Sequence, residues 1–449
     1  VYNEDMNKKQ KKLVTILSII LVFLVVILIA VILIGNTDKT TTTDNTTEPT
    51  VNVELSYWGL WEPEAVMQPI IDEYETTNPG VKITYSQQPF TSYEGRLYTR
   101  LEQASTSNEP APDIMRINNT WTPKFYSYLS PLPSTVMSPT TYQETFYPTA
   151  ISDFTAKDGN IYAMPWEIDG LSIIYNKQLL TGAGVETPPT DWDSFIELAQ
   201  KLTTKNDAGQ IIQSGLAIGT SSNITHSADI LSYLMLLNNA DIIDETRTVT
   251  NLTSDDVLSA VYIYTKYTLE NDAIWGSDLR NDLEMFYAGK LAMMFAPSWR
   301  AFDIIESAPS IEFGIAPLPQ LENNNPVYYS MYWGDAVSNT CSNTTVAWDF
   351  VNFLVTKQQE IYSSSSQIRA FGEPYSLVSL NSELESNTYL NAYSIMAPYM
   401  QSWPMGDQTF VKQALNTAIT EIVEDGENIE SAMKNAQIDI NDQLAQSNK

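Results

Sequence analysis

Three rhythms of hydrophobic and polar positions succeed one another along this chain. Leu13 to Ile34 is one uninterrupted uncharged run. As a helix it would span about 33 Å, enough to cross a hydrocarbon core. Asn36 to Asn52 is polar and Thr-rich, has no apolar period and reads as a tether. From Val53 onward, short runs alternate with helical periods. VNVELSYWG alternates as a half-buried strand should and breaks at Gly59. Val66, Ile70, Ile71 and Tyr74 then fall near helical spacing, and Asn78-Pro79-Gly80 ends the helix. VKITYSQQ predicts a second strand, YEGRLYTRLEQAS a second helix and PAPDIMRIN a third strand. This β-α-β-α-β order predicts an α/β lobe with a mainly parallel sheet.

The same alternation continues. Asp158-Gly159-Asn160 is a hairpin-turn signal, followed by extended runs at IYAMP and GLSIIYN. TPPTDWDSFIELAQKL opens with prolines, caps at Thr190 or Asp191 and proceeds with helical periodicity. Near the C-terminus, two helical stretches flank Asp425-Gly426.

Lys8, Lys9, Lys11 and Lys12 precede the apolar run, and the segment after it is nearly free of basic residues. The positive-inside rule then predicts a cytoplasmic segment 1–12, a transmembrane anchor 13–35, a linker 36–52 and an extracellular globular part. The predicted location is the cell membrane, single-pass, with the binding domain on the extracellular face. The competing reading, a cleaved signal peptide, calls for a shorter apolar core and a small-residue cleavage site.

Composition narrows the partners. The formal charge of −30 repels a phosphate backbone, which argues against nucleic acid. One cysteine, Cys341, allows no intramolecular disulfide, and the lone His226 cannot build a His-rich metal site. No cofactor is called for. Length alone implies two domains rather than one.

Open α/β sheets bind ligands beyond the carboxyl ends of their strands. The loops expected there carry Trp58, Trp61 and Glu62; Asn119; Trp166, Glu167 and Asp169; Trp299 and Arg300; Tyr332, Trp333 and Asp335; and Trp403, Asp407 and Phe410. Most of these clusters pair an aromatic with a carboxylate, amide or guanidinium. A sugar demands that mixture, because its C–H face packs on an aromatic plane while its hydroxyls need donors and acceptors.

Several phrases carry a family likeness. Gly159, Tyr162 and Pro165, then Tyr175-Asn176-Lys177, then Pro188-Pro189 and Trp192 stand in one order. Phe286, Gly289, Lys290 and Trp299 follow, and Ala347-Trp348 opens a further matching helix. In these the chain resembles the extracellular solute-binding proteins of ABC importers, in their sugar-binding, maltose-binding-protein-like branch. The resemblance implies a two-lobed periplasmic-binding-protein-like α/β fold. Its expected lobes are 53–168 with 333–371, and 169–332 with 372–449, joined by crossings near Glu167 to Gly170, Tyr332 to Gly334 and Phe371 to Glu373. It implies a carbohydrate ligand, ABC transporter permease partners and a monomer. It puts ligand contacts near Trp58 to Glu62, Asp169, Trp299, and Trp403 to Phe410. Alternatives are the same fold binding a peptide, polyamine or polyol phosphate, a sensor or adhesion role, and a surface glycoside hydrolase. The last needs two carboxylates flanking a bond. No G-x-S-x-G, Walker or H-E-x-x-H motif is present.

Overall fold

Several helices of this protein begin at a proline or a capping side chain. β1 (Val53–Gly59) leads into α1 (Glu64–Thr77), which follows Pro63 and buries Val66, Met67, Ile70, Ile71 and Tyr74 on one face. β2 (Val81–Gln87), α2 (Tyr93–Gln103) and β3 (Ile114–Asn118) come next. α3 (Pro148–Phe154) begins on proline and precedes the two-residue β4 (Met164–Pro165) and then β5 (Ser172–Asn176). Of the two caps expected for α4 (Trp192–Leu202), Asp191 is the one used: it accepts from the Ser194 amide at 2.9 Å. The description comes from a computed structural model and covers residues 52–104, 110–270, 272–322 and 325–447.

The second half supplies β6 (Thr204–Lys205), β7 (Ile211–Leu216), α5 (Ser227–Leu237), α6 (Asp255–Leu269), β8 (Leu291–Ala296), α7 (Arg300–Ser307) and β9 (Phe313–Ala316). β10 (Tyr328–Tyr329), β11 (Trp333–Val337), α8 (Thr344–Thr356), β12 (Met400–Gln401), α9 (Gln408–Val423) and α10 (Ile429–Ser447) follow, with shorter helices between them. The expected break between the last two helices is there, with Gly426 at φ 74°.

Residues 51–449 form one compact unit containing two five-stranded sheets. The first runs β2-β1-β3-β11-β4 and the second β6-β7-β8-β5-β9. Neither is mainly parallel. β1 pairs in parallel with β2 and β3, but β11 runs antiparallel to both β3 and β4. In the second sheet only β7 and β8 are parallel. The local β-α-β-α-β pattern is correct, and the antiparallel strands come from segments distant in sequence. β3, β5, β8 and β11 are buried along their whole lengths, the mark of strands covered on both faces.

The segments linking the sheets are laced together. The Trp166 amide donates to Trp333 O (2.8 Å), Ile168 N to Pro374 O (3.1 Å), Leu171 N to Tyr329 O (3.1 Å) and Met331 N to Asp169 O (2.8 Å). Two glycines make the approach possible. A Cβ on Gly170 would lie 2.0 Å from Tyr329 O, and one on Gly334 2.6 Å from the Phe154 ring. Backbones this close leave no room for any larger residue.

The expected transmembrane helix is corrected, and with it the membrane as a partner and the single-pass cell-membrane location. Among the described residues no helix is long and apolar enough to cross a membrane. The apolar run at 13–35 and nearly all of the 36–52 linker lie outside the described residues.

Candidate functional site

β3 reads IMRIN, and the arginine at its centre organises the end of the first sheet. Arg116 is fully buried. Its Nε donates to Asp335 Oδ1 (2.8 Å), Nη1 to Glu62 Oε2 (3.0 Å) and Nη2 to Tyr57 Oη (2.7 Å). Tyr57 passes its own proton towards Asp335 Oδ2 at 2.9 Å. The guanidinium lies 3.9 Å over the Trp166 ring, and Trp166 Nε1 donates to Glu62 Oε1 at 3.0 Å. Burial opposes the Arg116 charge, but Asp335, Tyr57 and Glu62 outweigh it and raise its pKa well above the usual value. Glu62, Trp166 and Asp335, three expected ligand contacts, thus all hold Arg116 instead of standing open.

In front of this hub is an aromatic wall. The Trp61 ring lies 5.2 Å from Phe90 and 5.9 Å from Trp333, which meets Trp121 edge-on at 5.2 Å. Trp333 is nearly buried and Trp61 half-buried, while Phe90 is 59 % exposed. Trp58, in β1, is half-buried against the core.

A second hub is Asp153, at the end of α3. Its Oδ2 accepts from Asn119 Nδ2 (2.9 Å), Tyr332 Oη (2.8 Å) and Thr149 Oγ1 (3.1 Å), and its Oδ1 from Ser402 Oγ (2.6 Å). Burial raises its pKa against these four donors. Asn119 and Tyr332 also bond each other through the main chain, since Tyr332 N donates to Asn119 Oδ1 and Asn119 N to Tyr332 O.

The crossing near Glu167 is rich in carboxyls. Asp169 accepts from Ser298 Oγ (2.7 Å), from the Ser298 amide (3.2 Å) and from Gly170 N (2.6 Å). Burial pushes its pKa up to about 7, against those donors. Glu167 is raised further, by burial and then by Glu373 beside it. Glu373 pairs with Arg369 at 2.7 Å. Asp169 therefore ties the crossing to the loop after β8, the loop that presents Trp299.

Trp299 is 39 % exposed. The Arg300 guanidinium packs 4.4 Å over its ring and pairs with Asp303 on the next turn. His226 meets the ring edge-on at 6.2 Å. His226 Nδ1 contacts Asp229 Oδ2 (3.2 Å), and Lys412 pairs with Asp229 Oδ1 (2.7 Å). Burial raises the Asp229 pKa, but Lys412 and His226 overcome it and hold the carboxyl at about 2. Trp403 is buried, with Nε1 on Ser232 Oγ at 3.2 Å. Asp407 caps α9 through the Phe410 amide (3.0 Å) and pairs with Lys124 (2.9 Å), which also holds Glu94 (2.8 Å). Phe410 is 39 % exposed.

Trp299 and Phe410 thus keep the most exposed ring surface of the expected aromatics, and Trp58 and Trp61 are half-buried. Sequence reasoning missed Arg116, Phe90, Asp153 and Lys412 and set His226 aside. A charge inside the apolar DIMRIN run was the available signal for Arg116. Phe90, after Pro89 at the end of β2, had the strand-end position that singled out its neighbours. Nothing local marks Asp153.

The family described as bacterial extracellular solute-binding protein matches residues 60–361. A putative binding protein of Brucella abortus is 23 % identical over 290 residues, 63 % of this chain and 67 % of that protein. The maltotriose-binding protein of Pyrococcus abyssi is 23 % identical over 320 residues, 68 % of this chain and 63 % of its own length. Among solved structures, a Listeria monocytogenes ABC substrate-binding protein in complex with cycloalternan superposes with TM-score 0.66 at 20 % identity, covering 88 % of this chain and 99 % of the other. The sugar-binding protein MalE of Xanthomonas citri gives 0.70 at 16 %, covering 88 % and 98 %.

Proposed function

Because the chain belongs to the bacterial extracellular solute-binding protein family, we propose that it captures a carbohydrate between two lobes and delivers it to an ABC transporter. The lobes are 53–168 with 333–371, and 169–332 with 372–449. One observation carries the carbohydrate reading: exposed aromatic rings stand beside densely hydrogen-bonded polar hubs on both sheets, Trp61 and Phe90 near Arg116, and Trp299 near Asp229. Rings that are held from behind offer flat apolar surface at little further entropic cost, which suits the C–H face of a sugar. Several similar proteins support it: they bind maltotriose, diacetylchitobiose, cycloalternan or mannotriose.

Binding without turnover fits the same geometry. A glycoside hydrolase needs a pair of available carboxyls. Glu62 is held by Arg116 and Trp166, Asp169 by Ser298, and Glu167 lies against Glu373. The Arg116, Asp153 and Asp169 hubs fix loop positions and do no chemistry.

The laced crossings make the lobes hinge as bodies. A ligand that touches Trp61 and Trp299 together favours the closed form only by its extra affinity for that form. The closed shape is what the membrane subunits read, and the transporter's ATPase supplies the energy.

A thermal-shift screen of the protein against mono- and oligosaccharides tests the reading. A true ligand at 100 times its dissociation constant adds about 2.7 kcal/mol of stability. Mass spectrometry of the recovered ligand should find it intact. Stabilisation by peptides or polyamines, with no response to any sugar, would reject the carbohydrate assignment.

A further inference from the structure

An open groove of about 760 Å³ runs along α9 on the second-sheet side. Its long wall carries Lys412, Gln413, Asn416 and Thr417, and its other wall is the Ser221-Ser222 turn that follows β7. That turn is fastened to the helix. Ser221 Oγ donates to Asn416 O (2.9 Å) and shares a hydrogen bond with Thr420 Oγ1 (2.7 Å), while Ser222 Oγ reaches Glu424 (3.0 Å). The groove is therefore shaped before any ligand arrives.

Its place in the fold matters as much as its walls. Lys412 belongs to the groove and to the Asp229 pair, and Asp229 holds His226 against Trp299. The groove is thus linked to the Trp299 platform through Lys412, Asp229 and His226. From Lys412 to Glu421 the helix rises about 14 Å, long enough for more than one sugar ring. The walls present hydroxyls and amides, and the far end is acidic, at Glu421 and Asp425. Among the described residues, no aromatic side chain lines it. The methylenes and methyls of the lining side chains give only scattered apolar surface and no flat ring for an aromatic ligand, and a polyanion meets repulsion at the far end. An uncharged polyhydroxylated chain finds donors and acceptors along the full length.

We propose that this groove is an extension site for the chain end of a bound oligosaccharide, so that the protein selects its ligand by length. The proposal rests on the carbohydrate reading above. The Trp299 region supplies stacking, and the groove adds only hydrogen bonds made in a solvent-open site. Each added ring therefore contributes modestly.

The test is a length series on the full chain: maltose, maltotriose and maltotetraose, and mannobiose and mannotriose, titrated calorimetrically. In whichever series binds, affinity should rise by about threefold or more per added ring, the yield of one modest hydrogen bond. Thr417 is exposed on the groove wall. Thr417→Arg should fill the groove, flatten the rise and leave the shortest ligand within about twofold of its wild-type affinity. Gln413→Ala, a milder change at another exposed position, should reduce the rise without abolishing it. A series that is flat in the wild type overturns the extension site and leaves the carbohydrate reading standing. So does a rise that survives Thr417→Arg, since the added contacts then lie elsewhere. Failure of all five sugars, and of every mono- and oligosaccharide in the thermal-shift screen, to bind the wild type overturns the carbohydrate reading and the extension site together.

Discussion

The Arg116 hub and the Asp229 cluster are made of the same kinds of side chain: a cation, carboxylates and a tryptophan. At Arg116 every member except the rim aromatics is buried, and each polar atom spends its bonding capacity on another member. At Asp229 the carboxylate is buried, but Lys412 is partly exposed and opens on a groove, and Trp299 keeps ring surface outside. Residue type does not separate a scaffold from a contact surface. What separates them is whether the partners are used up inside the protein.

The largest expected effect breaks the scaffold. Arg116→Met removes the cation between Glu62 and Asp335 and leaves two buried carboxylates unpaired, which should cost about 3–5 kcal/mol in urea unfolding. A loss under about 1 kcal/mol would mean that the hub is better hydrated, or more adaptable, than its burial implies.

The contact surface should respond in the opposite sense. Trp299→Ala should weaken binding of the sugar identified by the screen by more than about 1 kcal/mol, with little change in unfolding midpoint. Unchanged affinity in a folded variant removes Trp299 from the site and erases the contrast.

Acid titration sharpens the comparison between two buried aspartates near Trp299. Asp169 has neutral donors and carboxyl neighbours, and its pKa is raised to about 7. The stability that its protonated form contributes is complete below about pH 4, the ordinary unfolded range, and is lost as pH rises through about 7. Asp229 has Lys412 and His226, and its pKa is lowered to about 2. Its contribution is present above about pH 4 and is lost as pH falls through about 2. Thermal midpoints from pH 2 to 8 should show Asp169→Asn flattening the loss on the neutral side, and Asp229→Asn flattening the loss on the acid side. Identical profiles for the two variants would contradict the opposite electrostatics.

The smallest effect is at a partly buried ion-pair tie. Lys124 joins Glu94 to Asp407 with modest exposure, and Lys124→Ala should lower stability by less than about 1 kcal/mol in the same urea assay. A larger loss would make this tie part of the scaffold.

Much of the fold was legible because its signals are local. Val66, Ile70, Ile71 and Tyr74 mark one helix face, Asp191 caps another helix, and Gly426 at positive φ ends a third. The phrases around Tyr162, Trp192 and Trp348 sufficed for the family. The mixed strand directions were not legible, because β11 joins β3 from more than two hundred residues away in the chain.

The candidate site divides along the same line. Strand order and turn chemistry marked the loops expected at the carboxyl ends of the sheets, and so the candidate aromatics, but Trp58 lies within β1 and Trp333 and Asp335 within β11. Whether Glu62, Asn119, Trp166 or Asp335 faces a ligand or another side chain depends on Arg116 and Asp153, which lie tens to hundreds of residues from some of their partners. Local sequence carries propensity and periodicity, which act over a few residues. Hydrogen-bond partners in a buried hub are chosen by proximity in space, and only the packed tertiary structure brings those groups within reach.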